Sequence, residues 1–137
     1  MIVVVIPGRP ASKGRARVSR SHAYTPSETK EAQDMIGWYF RQAIKSPLIG
    51  ALKVTITFYT SNLRIDLDNA GKLVCDAGNK IAWTDDRHIW KLDTERVKVA
   101  KGNERTVVEI CRWDTSTRRE VLESVESGVS AFAHGSS

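Results

Sequence analysis

The sequence predicts an α/β (α+β) fold: a small single domain with a mixed β-sheet and two main helices in the order β-α-β-α-β-β. Three observations lead there. The chain opens on a continuous β-branched run, "IVVVI" at residues 2–6. Two later stretches carry apolar residues at helical spacing, and strand-like segments follow each. At 137 residues the chain fits one domain around one core.

Taken in order, residues 2–6 read as a strand buried on both faces, ended by Pro7 and Pro10. "ASKGRARVSRSHA" then reads as a long basic loop. The first helix starts with Thr25 as N-cap, Pro26 at the first helical position and Glu28 completing a capping box. Ala32, Met35, Ile36, Tyr39, Phe40 and Ala43 form its apolar stripe, and Pro47 and Gly50 close the segment. Residues 51–60 alternate Leu52, Val54, Ile56 and Phe58 with Lys53, Thr55, Thr57 and Tyr59, as in a half-buried strand. A second helix is expected over residues 69–78, with Ala70, Leu73, Val74 and Ala77 inward and Gly78 and Asn79 as its stop. Residues 88–100 and 105–113 read as two strands joined by "KGNE", a hairpin signal. In the polar tail from Asp114, Val121, Leu122, Val125, Val129 and Phe132 lie near one helical face, which suits a C-terminal helix with frayed ends or an unstructured extension. The domain is thus expected over 1–113, with an extension at 114–137.

Composition narrows the function. No apolar stretch is long enough to span a bilayer, so no membrane partner is expected. The N-terminal run lacks a basic leader and a small-residue cleavage site, so it reads as a strand and not a signal peptide, and with only two isolated cysteines a reducing cytoplasm is the default location. Cys75 and Cys111 are isolated, and no closely spaced ligand pairs suggest zinc. The net charge of +5 comes from one segment. Residues 1–27 hold Arg9, Lys13, Arg15, Arg17 and Arg20 and no acid, while the rest is balanced. A compact cationic segment suits a phosphate backbone, and equally a solvated loop that keeps the protein soluble.

Against that basic balance, "RIDLDNAGK" sets two aspartates two residues apart, with Lys72 at helical spacing behind them. In an extended segment Asp66 and Asp68 would face one point. Close carboxylates resist joint ionisation, and a divalent cation removes that cost. A plainer alternative has Asp68 capping a helix that begins at Asn69, with Asp66 solvated. Lys72 can neutralise a phosphate or simply pair with Asp68 or Asp76. Asp85 and Asp86 follow at the mouth of a strand. Four acids and a lysine at the ends of adjacent elements suit metal-assisted phosphodiester cleavage. His22, His88 and His134 are scattered, and only His88 is close enough to the acidic pair for proton transfer. Trp83 and Trp90, which flank the pair, are expected to pack.

These residues resemble one family pattern in order and spacing. Pro7 and Pro10, then Lys13, Arg15 and Arg17, then "YTP" at 24–26 precede the first helix. Asp66, Asp68, Asn69 and Lys72, then Asp76, then Asp85 and Asp86 complete it. The chain resembles the RusA family of Holliday-junction resolvases over roughly residues 2–112. It differs in carrying Arg87 and His88 where members often have a small residue and Gln, and in its extension.

The resemblance implies a homodimeric endodeoxyribonuclease, bacterial or phage-borne, that nicks branched DNA (four-way junctions) symmetrically. Mg²⁺ is the implied cofactor, with Mn²⁺ as a substitute. Asp66, Asp68 and Asp86 are the implied metal ligands, Lys72 the catalytic lysine, and the roles of Asp76 and Asp85 stay open. The expected DNA-binding set is Arg9, Lys13, Arg15, Arg17, Arg20, Asn69 and Arg96. Two rivals are a non-catalytic DNA-binding relative and an Asp-x-Asp metal-nucleotide transferase. The intact acidic set argues against the first. The short chain and the lack of a glycine-rich phosphate loop argue against the second.

Overall fold

The computed structural model describes residues 1–11 and 26–113. The strands are β1 (Ile2–Pro7), β2 (Leu52–Thr60), β3 (Ile89–Lys98) and β4 (Arg105–Arg112), and the helices are α1 (Pro26–Ala43) and α2 (Leu67–Gly78). The class and the element order β-α-β-α-β-β are those the sequence predicts. Single 3-10 turns occupy Asp86–His88 and Lys101–Asn103. The expected N-cap Thr25, most of the basic segment, His22, His134 and the extension lie outside the described residues. No helix among the described residues is long and apolar enough to cross a membrane.

The four strands lie in the order β1-β4-β2-β3. β4 runs antiparallel to both β1 and β2, and β3 runs parallel to β2. The expected β3–β4 hairpin is therefore wrong, because β2 lies between the two strands. "KGNE" does reverse the chain, but it carries it past an occupied slot. Parallel neighbours cannot be joined by a tight turn, and α2 supplies the crossover between β2 and β3.

Register explains the core. Three rows cross one face: Ile2–Ile110–Val54–Leu92, Val4–Val108–Ile56–Thr94 and Ile6–Thr106–Phe58–Arg96. Ile36 and Phe40 of α1, with Ala70, Leu73, Val74 and Ala77 of α2, cover the inner part of these rows. The opposite face has no helix among the described residues. Val3 and Val5 of β1 accordingly stay 49% exposed, so β1 is not buried on both faces as expected. In α1 the expected stripe also loses Met35 and Ala43 to solvent, and Ile44 takes the place just beyond the helix.

Trp83 is the keystone of the return from α2 to β3. It is fully buried, and its Nε1 donates to the Cys75 carbonyl at 3.2 Å and to Asn79 Oδ1 at 3.1 Å. It also meets the Phe40 ring edge-on at 5.6 Å. Its indole lies so close under Gly78 that a Cβ there would fall 2.5 Å from it. The expectation of packing holds for Trp83 and fails for Trp90. The pairing skips from Leu52–Ile89 to Lys53–Lys91, which leaves Trp90 as the extra residue of a bulge. Its side chain is 63% exposed.

Candidate active site

α2 begins two residues earlier than expected, and this changes the local setting of both aspartates. Asp66 is the N-cap: its Oδ1 accepts the Asn69 backbone N–H at 3.1 Å. Its Oδ2 accepts from the Asn69 side-chain amide at 3.2 Å. Asp68 is not a cap but stands in the first helical turn, exposed, where the helix dipole favours an acid. The two carboxylates therefore do not share one side of an extended segment. Lys72 follows Asp68 by one turn and is exposed.

Beyond the covered core, the rows of the sheet run on to Leu92 and Thr94 of edge strand β3. There they form one wall of an open cavity of about 430 Å³. Leu67, Asp68, Gly71, Lys72 and Cys75 of α2 form the facing wall, and Asp86 and Ile89 close one end. The walls approach closely because Gly71 has no side chain. A Cβ there would stand 3.1 Å from the Thr94 methyl. Three expected catalytic residues, Asp68, Lys72 and Asp86, thus line one cavity. Asp66, Asp76 and Asp85 are not part of its lining.

Electrostatics ties the ends of the cavity together. The Asp86 carboxyl is pushed above its ordinary range by partial desolvation, then by its hydrogen bond with Asp85 and the nearby charges of Asp85 and Asp76. Lys72 pulls the other way. Asp85 is held low, chiefly by the Arg87 backbone N–H that its Oδ1 accepts at 3.0 Å. Cys75 is buried, and burial first, then Asp86 and Asp76, push its thiol up to about 12. It is therefore a neutral wall of the cavity and no nucleophile at neutral pH.

Among the described residues no three His, Cys, Asp or Glu side chains form a group that could enclose a metal. An octahedral magnesium ion needs less, since one or two carboxylates suffice when waters and substrate phosphate complete its shell. Asp68 and Asp86 fit that requirement as hard oxygen donors on one open cavity. The neighbouring charges of Asp85 and Asp76, which add to desolvation and the Asp85 hydrogen bond in raising Asp86, are what a bound cation relieves.

Of the expected DNA contacts, Arg9 is exposed and its charge acts on Glu104. Lys13, Arg15, Arg17 and Arg20 lie outside the described residues. Asn69 is engaged with Asp66, and Arg96 donates from Nη1 to the Ile65 carbonyl at 3.3 Å. His88 is half-buried beside the acidic pair and does not line the cavity. Sequence reasoning missed Gly71 and Thr94 as the contact that sets the cavity's width. A glycine inside a helix costs stability relative to alanine, and that cost was the available signal of a close approach.

A family model described as endodeoxyribonuclease RusA matches residues 7–111, from the end of β1 to β4. No curated protein matches the chain. The family match spans most of the chain and includes every wall of the acidic cavity, and on it the chain belongs to the RusA endodeoxyribonuclease family.

Proposed function

We propose that this protein is a Mg²⁺-dependent endonuclease that resolves four-way DNA junctions by paired symmetric nicks, with Mn²⁺ able to substitute. One observation carries the reading: Asp68, Lys72 and Asp86 line a single open cavity in a chain of this endodeoxyribonuclease family. Asp68 and Asp86 would hold the metal, and the chemistry it would supply there is activation of the attacking water and neutralisation of charge on the departing 3′ oxygen. Lys72, projecting from the same helix as Asp68, neutralises and orients the scissile phosphate. Asp66 contributes by capping α2 and so presenting Asp68 at the cavity. Arg9, with Lys13, Arg15, Arg17 and Arg20, grips the backbone, which adds affinity without reading sequence. Cutting that leaves 5′-phosphate and 3′-hydroxyl ends suits religation.

One chain offers one such cavity, whereas a junction needs two symmetric cuts. A two-fold homodimer supplies both. The test is incubation of the protein with four-way junction, linear duplex and single strand, with Mg²⁺ or with chelator. The reading expects paired cuts in the junction alone and only with metal. Light scattering should give about twice the 15.3 kDa chain mass. Cutting of all three substrates alike, or cutting in chelator, would overturn it.

A further inference from the structure

The segment between β2 and α2 has a construction that the catalytic reading leaves unused. Thr60 Oγ1 accepts the Asn62 N–H at 2.9 Å, and Asn62 Oδ1 accepts the Arg64 N–H at 3.0 Å. These bonds make a turn from side chains instead of a ladder. Two residues distant in sequence then pin it. The Glu104 carboxylate accepts from the Ser61 N–H at 2.8 Å, the Ser61 hydroxyl at 3.0 Å and the Thr60 hydroxyl at 3.3 Å. At the other end Arg96 donates to the carbonyl of Ile65, whose side chain plugs into the core. The next residue is Asp66, the cap of α2.

Glu104 does a second thing. Its backbone carbonyl accepts the Gly8 N–H at 3.1 Å, and Arg9 adds to the charge around its carboxylate. Gly8 and Arg9 are the root of the basic segment. One residue thus joins the start of that segment to the loop that delivers the acidic helix. Burial anchors Ile65 and Ala70 on either side, but between them the first turn of α2 is half-buried at Leu67 and exposed at Asp68, so the ties add to what burial supplies. Ordering such a loop costs conformational entropy that local bonds must offset.

We infer that Glu104 and Arg96 are positioning residues that fix the Ser61–Ile65 loop, and with it the first turn of α2, so that Asp68 and Lys72 face Asp86. Neither residue lines the cavity, and both act through the loop. For Arg96 this is a role inside the fold, beside the DNA contact that its exposed position suggests. The inference rests on the nuclease reading only for its effect on cutting. A misplacement of about 1 Å at a reacting centre can cost a hundredfold in rate.

The experiment uses the full chain as wild type, Glu104→Ala, Glu104→Gln, Arg96→Met and Arg96→Lys. Amide hydrogen exchange is followed over residues 61–69, and four-way junction cleavage is measured in Mg²⁺. Loss of a tie should speed exchange in that segment about tenfold in Glu104→Ala and Arg96→Met, the effect of one ordinary hydrogen bond. The β2 and β4 amides should keep their protection. kcat should fall in both variants, with KM unchanged in Glu104→Ala, and Glu104→Gln and Arg96→Lys, which keep an acceptor and a donor, should recover most of the effects on exchange and kcat. Unchanged exchange over 61–69 overturns the inference, and so does faster exchange with unaltered kcat. If wild type cuts no DNA, the nuclease reading falls, and the exchange data alone decide the tie.

Discussion

The two walls of the acidic cavity are built in opposite ways. α2 buries Ala70, Gly71, Leu73, Val74, Cys75, Ala77 and Gly78, so one face is locked into the core and only Asp68 and Lys72 project freely. β3, the facing wall, has no fully buried residue. It is held by pairing with β2 along one edge and is entered from an exposed 3-10 turn carrying Asp86. One acid is therefore mounted on a rigid helix and the other on a lightly held edge. The lesson is that the rigid wall can present charge cheaply, because its stability comes from the opposite face. The edge wall carries the strained acid: desolvation first, then the Asp85 hydrogen bond and the neighbouring acids, raise the Asp86 carboxyl.

That contrast can be broken hardest at α2. Asp68→Asn should abolish junction cutting while leaving binding intact or stronger, since removing an acid also removes repulsion from DNA. Lys72→Ala should slow cutting by roughly a hundredfold or more, as for loss of an electrostatic stabiliser. Both residues are exposed, so neither variant should lower the melting temperature appreciably. Near-normal rates in either variant, measured on a synthetic junction, would remove it from the site.

The stability of the rigid wall is tested next, at Gly78→Ala. The added methyl meets the fully buried Trp83 ring at 2.5 Å and has no room. Overpacking of this kind costs about 1–3 kcal/mol. Urea denaturation should show a lower midpoint, and an unchanged midpoint would mean that the Trp83 seat is loose.

The edge wall gives a smaller effect of opposite sign. Because the fold raises the Asp86 carboxyl, ionising it works against the folded state. That penalty is absent at low pH, where the group is protonated both folded and unfolded. It grows as pH rises through the unfolded and then the raised folded value, and is constant above. Asp86→Asn without metal should therefore melt slightly higher than wild type at neutral pH, with the difference gone in acid. Added Mg²⁺ should stabilise wild type and not the variant. A variant that melts lower at neutral pH without metal would contradict the raised Asp86 carboxyl.

These contrasts also mark what the sequence could convey. Element order was legible because alternation in β2 and the helical stripes are local patterns. Strand neighbours were not. A Gly-Asn loop signals reversal, but whether β4 lies beside β3 or beyond β2 depends on long-range burial. β4 alternates buried Thr106, Val108 and Ile110 and belongs in the interior of the sheet, whereas β3 does not and takes the edge. The acidic residues were legible as a set. Their local settings were not, because these turn on a two-residue shift in where α2 starts, which makes Asp66 the cap and leaves Asp68 in the exposed first turn. The ties from Glu104 and Arg96 to the preceding loop bridge more than thirty residues, and no local spacing announces them.

The most direct test of the central claim, that this cavity is a metal-dependent site for cutting branched DNA, uses a supercoiled plasmid bearing an extruded cruciform. The protein is added with Mg²⁺ and the products are separated by topology. The account predicts conversion largely to linear plasmid cut at the cruciform, because two related cavities act within one binding event. Nicked circles alone, or an intact plasmid, would contradict it.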